Sequence, residues 1–123
     1  MAKNSLVSSI EKEHGKGSIF CVGDKSVSAV PGITTGSPAL DRALGGEGVP
    51  KGRIIELFGP ESSSKTTLAL TILKNVQKAK GTAYYVDAEH SLDPSWAKRL
   101  GVDLKGMYVS QPDTGEDALK YVE

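Results

Sequence analysis

Cysteine is almost absent from this chain of 123 residues: Cys21 is the only one, which excludes an intrachain disulfide and leaves a buried, small apolar role as the expectation for it. Histidine is nearly as scarce. His14 and His90 stand far apart in sequence with no cysteine beside either, so no metal-ligand cluster is legible. An excess of one charge is missing too, since 15 basic residues balance 15 acidic ones. Composition therefore gives no sign of the basic face of an autonomous nucleic-acid binder. No apolar run approaches the roughly 20 residues that cross a bilayer, and the N-terminus lacks a signal-peptide core. The expectation is a cytoplasmic protein with no membrane partner. Internal repeats and low-complexity segments are absent as well. What remains is one ordinary domain's worth of chain, with 38% hydrophobic residues, enough for a packed core.

The most informative string is Gly59, Pro60, Glu61, Ser62, Ser63, Ser64, Lys65, Thr66, Thr67. It follows an apolar run at 54–58 and opens a helical pattern, the setting of a P-loop. In such a loop successive backbone N–H groups form a concave nest, and the helix behind it turns its positive end to the same anion. Lys65 would reach the β and γ phosphates of a nucleoside triphosphate, and the Thr66 hydroxyl would ligate Mg²⁺. The motif asks for glycine immediately before the lysine, and Ser64 stands there. A side chain at that point carries a penalty of roughly 1–2 kcal/mol if the loop needs positive φ. The same string also reads as a polar turn that merely caps the helix, because serine and threonine are good N-caps.

Around that string the chain alternates strand and helix, the α/β rhythm. Residues 4–14 show a short helix with Leu6, Val7 and Ile10 on one stripe, and 18–22 reads as a strand. Residues 30–36 read as a turn-rich link. Ser37 and Pro38 open a helix that Gly45 and Gly46 stop, and 53–58 reads as the strand before the loop. A helix from about Lys65 to Ala79 is expected to bury Leu68, Ala69, Ile72, Leu73 and Val76, with Gly81 ending it. Strand 82–86 delivers Asp87, Ala88, Glu89 and His90 at its carboxyl end, where parallel sheets gather ligands. Asp93 and Pro94 start a further helix that Gly101 ends, 107–110 is a third strand, and Thr114 opens a last helix expected to run to Glu123. The pattern stops inside that helix without a cap, which reads as a chain cut from a longer one.

Several segments together resemble the RecA family of bacterial recombinases: Phe58 to Ser63 with Lys65, Thr66 and Thr67; Val86 to Pro94; Leu100 to Asp103; Ser110 to Glu116; and Thr35 to Ser37 with Leu40, Asp41 and residues 43–45. The resemblance covers nearly the whole chain but only about the first third of a full-length member. It implies an ATP-dependent enzyme that polymerises on single-stranded DNA, pairs it with homologous double-stranded DNA, exchanges strands in repair, and serves as a coprotease in the damage response. Its cofactors would be ATP and Mg²⁺. Residue by residue, the resemblance gives Lys65 the phosphates, Thr66 the Mg²⁺ and Glu89 the task of activating the attacking water. It sets Asp93 and Trp96 near the adenine, with tryptophan where tyrosine is common. Bland readings stand beside these: Glu89 as a solvated strand-end carboxylate, Asp93 as the N-cap before Pro94, Trp96 as a helix core residue.

The implied fold is a RecA-type P-loop NTPase with a mostly parallel sheet and flanking helices, divided here into 1–30, an N-terminal helix and strand that oligomerise in the family, and 31–123, the first part of the ATP-binding core. The Walker B strand, the sensor strand and both DNA-binding loops of the family have no counterpart here. Those strands lie between the P-loop strand and the one leading to Glu89, so the expectation is an empty slot and a marginal isolated chain, without ATPase or strand-exchange activity. A nucleotide-binding or filament-docking module using residues 4–14, without catalysis, is the alternative. A small-molecule kinase would need a substrate lid, and no such segment is legible.

Overall fold

The computed structural model describes residues 5–23 and 30–122. They fall into two units, Met1–Val30 and Pro31–Glu123.

In the first unit, α1 (Ser5–His14) has no buried residue, and Leu6 is exposed. Lys12 and His14 sit in its last turn, where cations complement the dipole, and the Gly15 N–H closes it on Glu11 O at 3.0 Å. The strand expected at 18–22 is not formed: these residues make bends and turns, and Phe20 and Val22 are exposed. A strand exists only by pairing, and the unit's described residues supply no second strand. The expected burial of Cys21 is corrected for the same reason, because its side chain is exposed.

The second unit starts with a small antiparallel pair, β1 (Gly32–Ile33) and β2 (Val49–Pro50), in the register Gly32↔Pro50 and Ile33↔Val49. Sequence patterning showed these only as link and loop. Between them α2 (Pro38–Ala43) begins as expected, with the Ser37 hydroxyl accepting from Leu40 N–H and Pro38 in the first turn. The α2 residue Asp41 ties back to the preceding segment. Its carboxylate accepts from the Thr34 hydroxyl, from the Thr35 hydroxyl at 2.6 Å and from Thr35 N–H at 2.8 Å. Those bonds, the Thr34 hydroxyl first, hold the Asp41 carboxyl below the usual range.

The rest is a βαβ arrangement on one long helix, α3 (Lys65–Lys78). Strands β3 (Ala83–Val86) and β4 (Met107–Ser110) are parallel, Ala83↔Met107 through Val86↔Ser110, and α4 (Pro94–Leu100) lies between them in sequence. The core consists of Leu70, Ala83, Ala97, Val102 and Met107, with Leu73, Tyr85, Leu92 and Leu100 packed against it. Helix α3 ends with Lys80, not Gly81, in the left-handed position at φ +61; Lys80 N–H returns to Gln77 O and Gly81 N–H to Val76 O, a Schellman closure. Gly101, at φ +91, ends α4 as the sequence suggested. Helix α5 (Gly115–Lys120) is capped by the Thr114 hydroxyl, which accepts from Asp117 N–H, and stops short of Glu123, which lies outside the described residues.

Two expectations are corrected along α3 and before it. Leu70 and Asn75 are the buried residues of α3, while Leu68, Ala69, Ile72, Leu73 and Val76 are only half-covered. Residues 53–58 form no strand; among the described residues no ladder pairs them, and Ile54 is 103% and Phe58 87% exposed. Both departures have one physical cause: the apolar groups are in place, and among the described residues no element covers or pairs them.

Candidate functional site

Residues 62–67 line a concavity of about 270 Å³ at the start of α3. Ser64 precedes the helix in a left-handed conformation, φ +67 and ψ +23, and its side chain makes no capping bond. The geometry thus departs from the capping alternative. Helices α2, α4 and α5 have their first turns satisfied by Ser37, Asp93 and Thr114, whereas α3 does not. Among the described residues nothing accepts from the N–H groups of Lys65, Thr66 and Thr67, so three donors and the positive helix end face the concavity together. Such an end is suited to an anion.

The Lys65 ammonium folds back over the loop, donating to Gly59 O at 3.0 Å and Pro60 O at 2.9 Å. Ser63 N–H closes a turn on Pro60 O at 3.4 Å; Glu61, Ser62, Ser63, Ser64 and Thr66 are exposed, and Lys65 and Thr67 are partly covered. The loop therefore presents a cation held by two carbonyls, beside the exposed Thr66 hydroxyl, an oxygen of the kind a hard metal ion takes.

Glu89 lies on the turn that leaves β3, and it is exposed. Its turn is organised by Asp87, a residue to which sequence reading gave no role. Asp87 is 3% exposed. Its Oδ1 accepts from Ser91 N–H at 3.2 Å, and its Oδ2 accepts from Leu92 N–H at 3.1 Å and from the Gln111 amide at 3.0 Å. Burial works against the charge of this carboxyl, but the bonds from Gln111, Leu92 and Ser91, with His90 nearby, outweigh it and hold the carboxyl below the usual range. His90 is drawn to φ +55 by the tight turn. Burial, and then the charges of Asp87 and Glu89, push the Tyr85 phenol up. Among the described residues no hydrogen bond or ion pair joins Glu89 to the loop at 59–67.

Asp93 is an N-cap: its Oδ1 accepts from Ser95 N–H at 2.8 Å and Trp96 N–H at 3.2 Å. Trp96 is not a core residue, being 41% exposed, and its indole N–H donates to the Thr67 hydroxyl at 3.3 Å. The aromatic plane is thereby fastened to the first turn of the helix that starts at Lys65. Of the residues that sequence reading singled out, the structure joins Trp96 to Thr67 and Lys65 to Gly59 and Pro60. Among the described residues it gives Glu89 no such bond.

The RecA N-terminal domain family matches this chain over residues 1–123. The chain belongs to that family. Among curated relatives, the Protein RecA of Rubrobacter xylanophilus is 56% identical over 122 residues, covering 99% of this chain and 36% of that protein. That of Clostridium novyi is 56% identical over 122 residues, covering 99% and 35%, and that of Thermus aquaticus 56% over 119 residues, covering 97% and 35%. The chain thus spans about a third of the length of the RecA relatives it matches. The RecA-family match runs through both units.

The residues that sequence reading missed are polar ones whose role depends on a distant partner. Asn75 donates to Thr34 O at 2.7 Å across 41 positions, and Gln77 exchanges two bonds with the Asp103 backbone, at 2.8 and 2.9 Å. Asp87 had a local signal, an Asp whose two oxygens meet the N–H groups four and five residues on. Its Gln111 bond had none.

Proposed function

We propose that this chain is the nucleotide-cradling first part of an ATP-dependent DNA recombinase. The observation that carries the reading is the uncapped start of α3 behind the loop at 59–67, in a chain of the RecA N-terminal domain family. The residues fit ATP and Mg²⁺: three unpartnered N–H groups and the Lys65 ammonium supply anion contacts, and Thr66 supplies a hard oxygen ligand. When bound, Mg²⁺ neutralises phosphate charge.

In this reading, Lys65 leaves the Gly59 and Pro60 carbonyls for the β and γ phosphates, exchanging two neutral acceptors for a charged one. The loop backbone around Glu61, Ser62, Ser63 and Ser64 encloses them. Glu89 is the base that orients water, and Asp87 holds its turn. Trp96 offers a plane to the adenine, with Asp93 fixing the start of its helix. A RecA-type P-loop NTPase core is the fold this implies for the longer protein, with 31–123 as its first part and 1–30 for oligomerisation.

The longer protein's partners are single- and double-stranded DNA and further copies of itself in a filament that uses residues 4–14, of which Ser5–His14 form α1. Homologous pairing, strand exchange, repair and the damage-response coprotease role belong to that longer, cytoplasmic protein. Among the described residues no helix is long and apolar enough to cross a membrane. In this reading the isolated chain binds nucleotide without hydrolysing it, because among the described residues no hydrogen bond or ion pair ties Glu89 to the loop.

The test is ATP turnover with and without single-stranded DNA, alongside Mg²⁺-dependent ATP binding by the chain and by Thr66→Ala. Binding that weakens without the Thr66 hydroxyl, with no turnover, is expected. DNA-stimulated turnover abolished by Lys65→Ala contradicts the inactive reading, and Mg²⁺-independent binding contradicts the role of Thr66.

A further inference from the structure

Trp96 and Thr67 meet from different helices, α4 and α3, across 29 positions of sequence. The Trp96 indole N–H donates to the Thr67 hydroxyl oxygen at 3.3 Å. A hydroxyl has one proton to give and two lone pairs to accept with. Threonines inside helices often give that proton to the carbonyl four residues back, and Thr71 does so, to Thr67 O at 2.8 Å. Thr67 does not. Among the described residues its hydroxyl accepts from the indole and donates to nothing. The proton it keeps points away from the indole nitrogen, and the residue lines the concavity of about 270 Å³ beside the unpartnered N–H groups of 65–67. Accepting one bond also polarises the hydroxyl and makes it a better donor.

We propose that Trp96 is a positioning residue for phosphate: its indole N–H holds the Thr67 hydroxyl with the proton free for the concavity, where it donates to a phosphate oxygen. The inference rests on the nucleotide-cradle reading. It gives Trp96 a task at the phosphate end that is separate from any contact of its ring with a base. A phenyl ring at position 96 covers much of the same surface but has no N–H, so the hydroxyl turns freely and its proton is no longer directed. Trp96 and Thr67 then act as one unit, and losing both costs no more than losing the hydroxyl alone.

Calorimetric titration of Mg²⁺–tripolyphosphate, a probe without a base, tests it on the full chain, Trp96→Phe, Thr67→Val, Thr67→Ser and the double variant Trp96→Phe with Thr67→Val. Thr67→Val is expected to weaken binding roughly tenfold and Trp96→Phe about threefold. Thr67→Ser, which keeps the hydroxyl, restores most of the affinity, and the double variant binds no more weakly than Thr67→Val. Trp96 is the only tryptophan, so intrinsic emission reads the bond directly, without replacing the ring. In the absence of ligand the emission shifts in Thr67→Val and not in Thr67→Ser. Undiminished binding in Trp96→Phe, losses that add in the double variant, or a Trp96→Phe defect seen with Mg²⁺–ATP but not with tripolyphosphate overturns the proposal while the cradle stands. Unchanged emission in Thr67→Val does the same. Failure of the unsubstituted chain to bind either probe contradicts the cradle and this inference together.

Discussion

Ser64 is where a single side chain bears most directly on the loop. Its φ of +67 lies in the region that favours glycine, and it occupies the position where the P-loop pattern has glycine. Ser64→Gly relieves left-handed strain worth roughly 1–2 kcal/mol, part of which is returned through the greater freedom of the unfolded chain. A net gain of up to about 1 kcal/mol in stability is expected by denaturant melting, and a loss of stability contradicts it. Asp87 is the second such residue. Asp87→Asn leaves at least one of the Ser91, Leu92 and Gln111 donors poorly satisfied, at a cost of about 1–3 kcal/mol. The Asp87 carboxyl titrates below its ordinary 3.8 in the folded chain, so its contribution is complete above that value and lost as pH falls through the lower folded one. Melting followed down through pH 4 is therefore expected to show an acid-side loss that Asp87→Asn flattens; an unchanged acid limb contradicts the role. The strain at Ser64 was legible from a motif with one residue out of place. The Gln111 bond was not, because nothing local in a sequence announces a partner 24 positions away.

Helices were the legible elements, since their signals are local. Ser37 with Pro38, Asp93 with Pro94, and Thr114 each cap the helix that the sequence assigned to them. Strands were legible only where a partner exists in the chain: β3 and β4 find each other, whereas 18–22 and 53–58 do not form. The same limit applies within α3. Periodicity finds an apolar stripe but not which part of it is covered, and the fully buried residue is Leu70, 1% exposed. Leu70→Ala is expected to cost about 2–5 kcal/mol, and Leu68→Ala, at the half-covered edge, well under half as much. Comparable losses in a chemical melt would place the core elsewhere.

At the scale of the whole molecule, the second unit has a two-stranded parallel sheet and a small core packed on α3, with an uncovered trough lined by residues of α3, β3 and 53–57 beside it. Stability is therefore uneven. Native-state amide exchange is expected to run fastest through 54–58, which lacks ladder bonds, and slowest at Leu70 and Ala83 in the core; uniform protection contradicts that division. The family membership was legible from long motif strings, and the matched region is the whole chain. The uncovered face of α3 was not legible, because composition and periodicity describe the elements a chain contains and not which of their faces are covered.

The nucleotide cradle is the central claim, and calorimetric titration of Mg²⁺–ATP into the chain, Ser64→Gly and Lys65→Ala tests it most directly. Saturable one-to-one binding by the chain, tighter in Ser64→Gly and lost in Lys65→Ala, is the predicted result. Binding that is absent from both the chain and Ser64→Gly, or undiminished in Lys65→Ala, contradicts the claim.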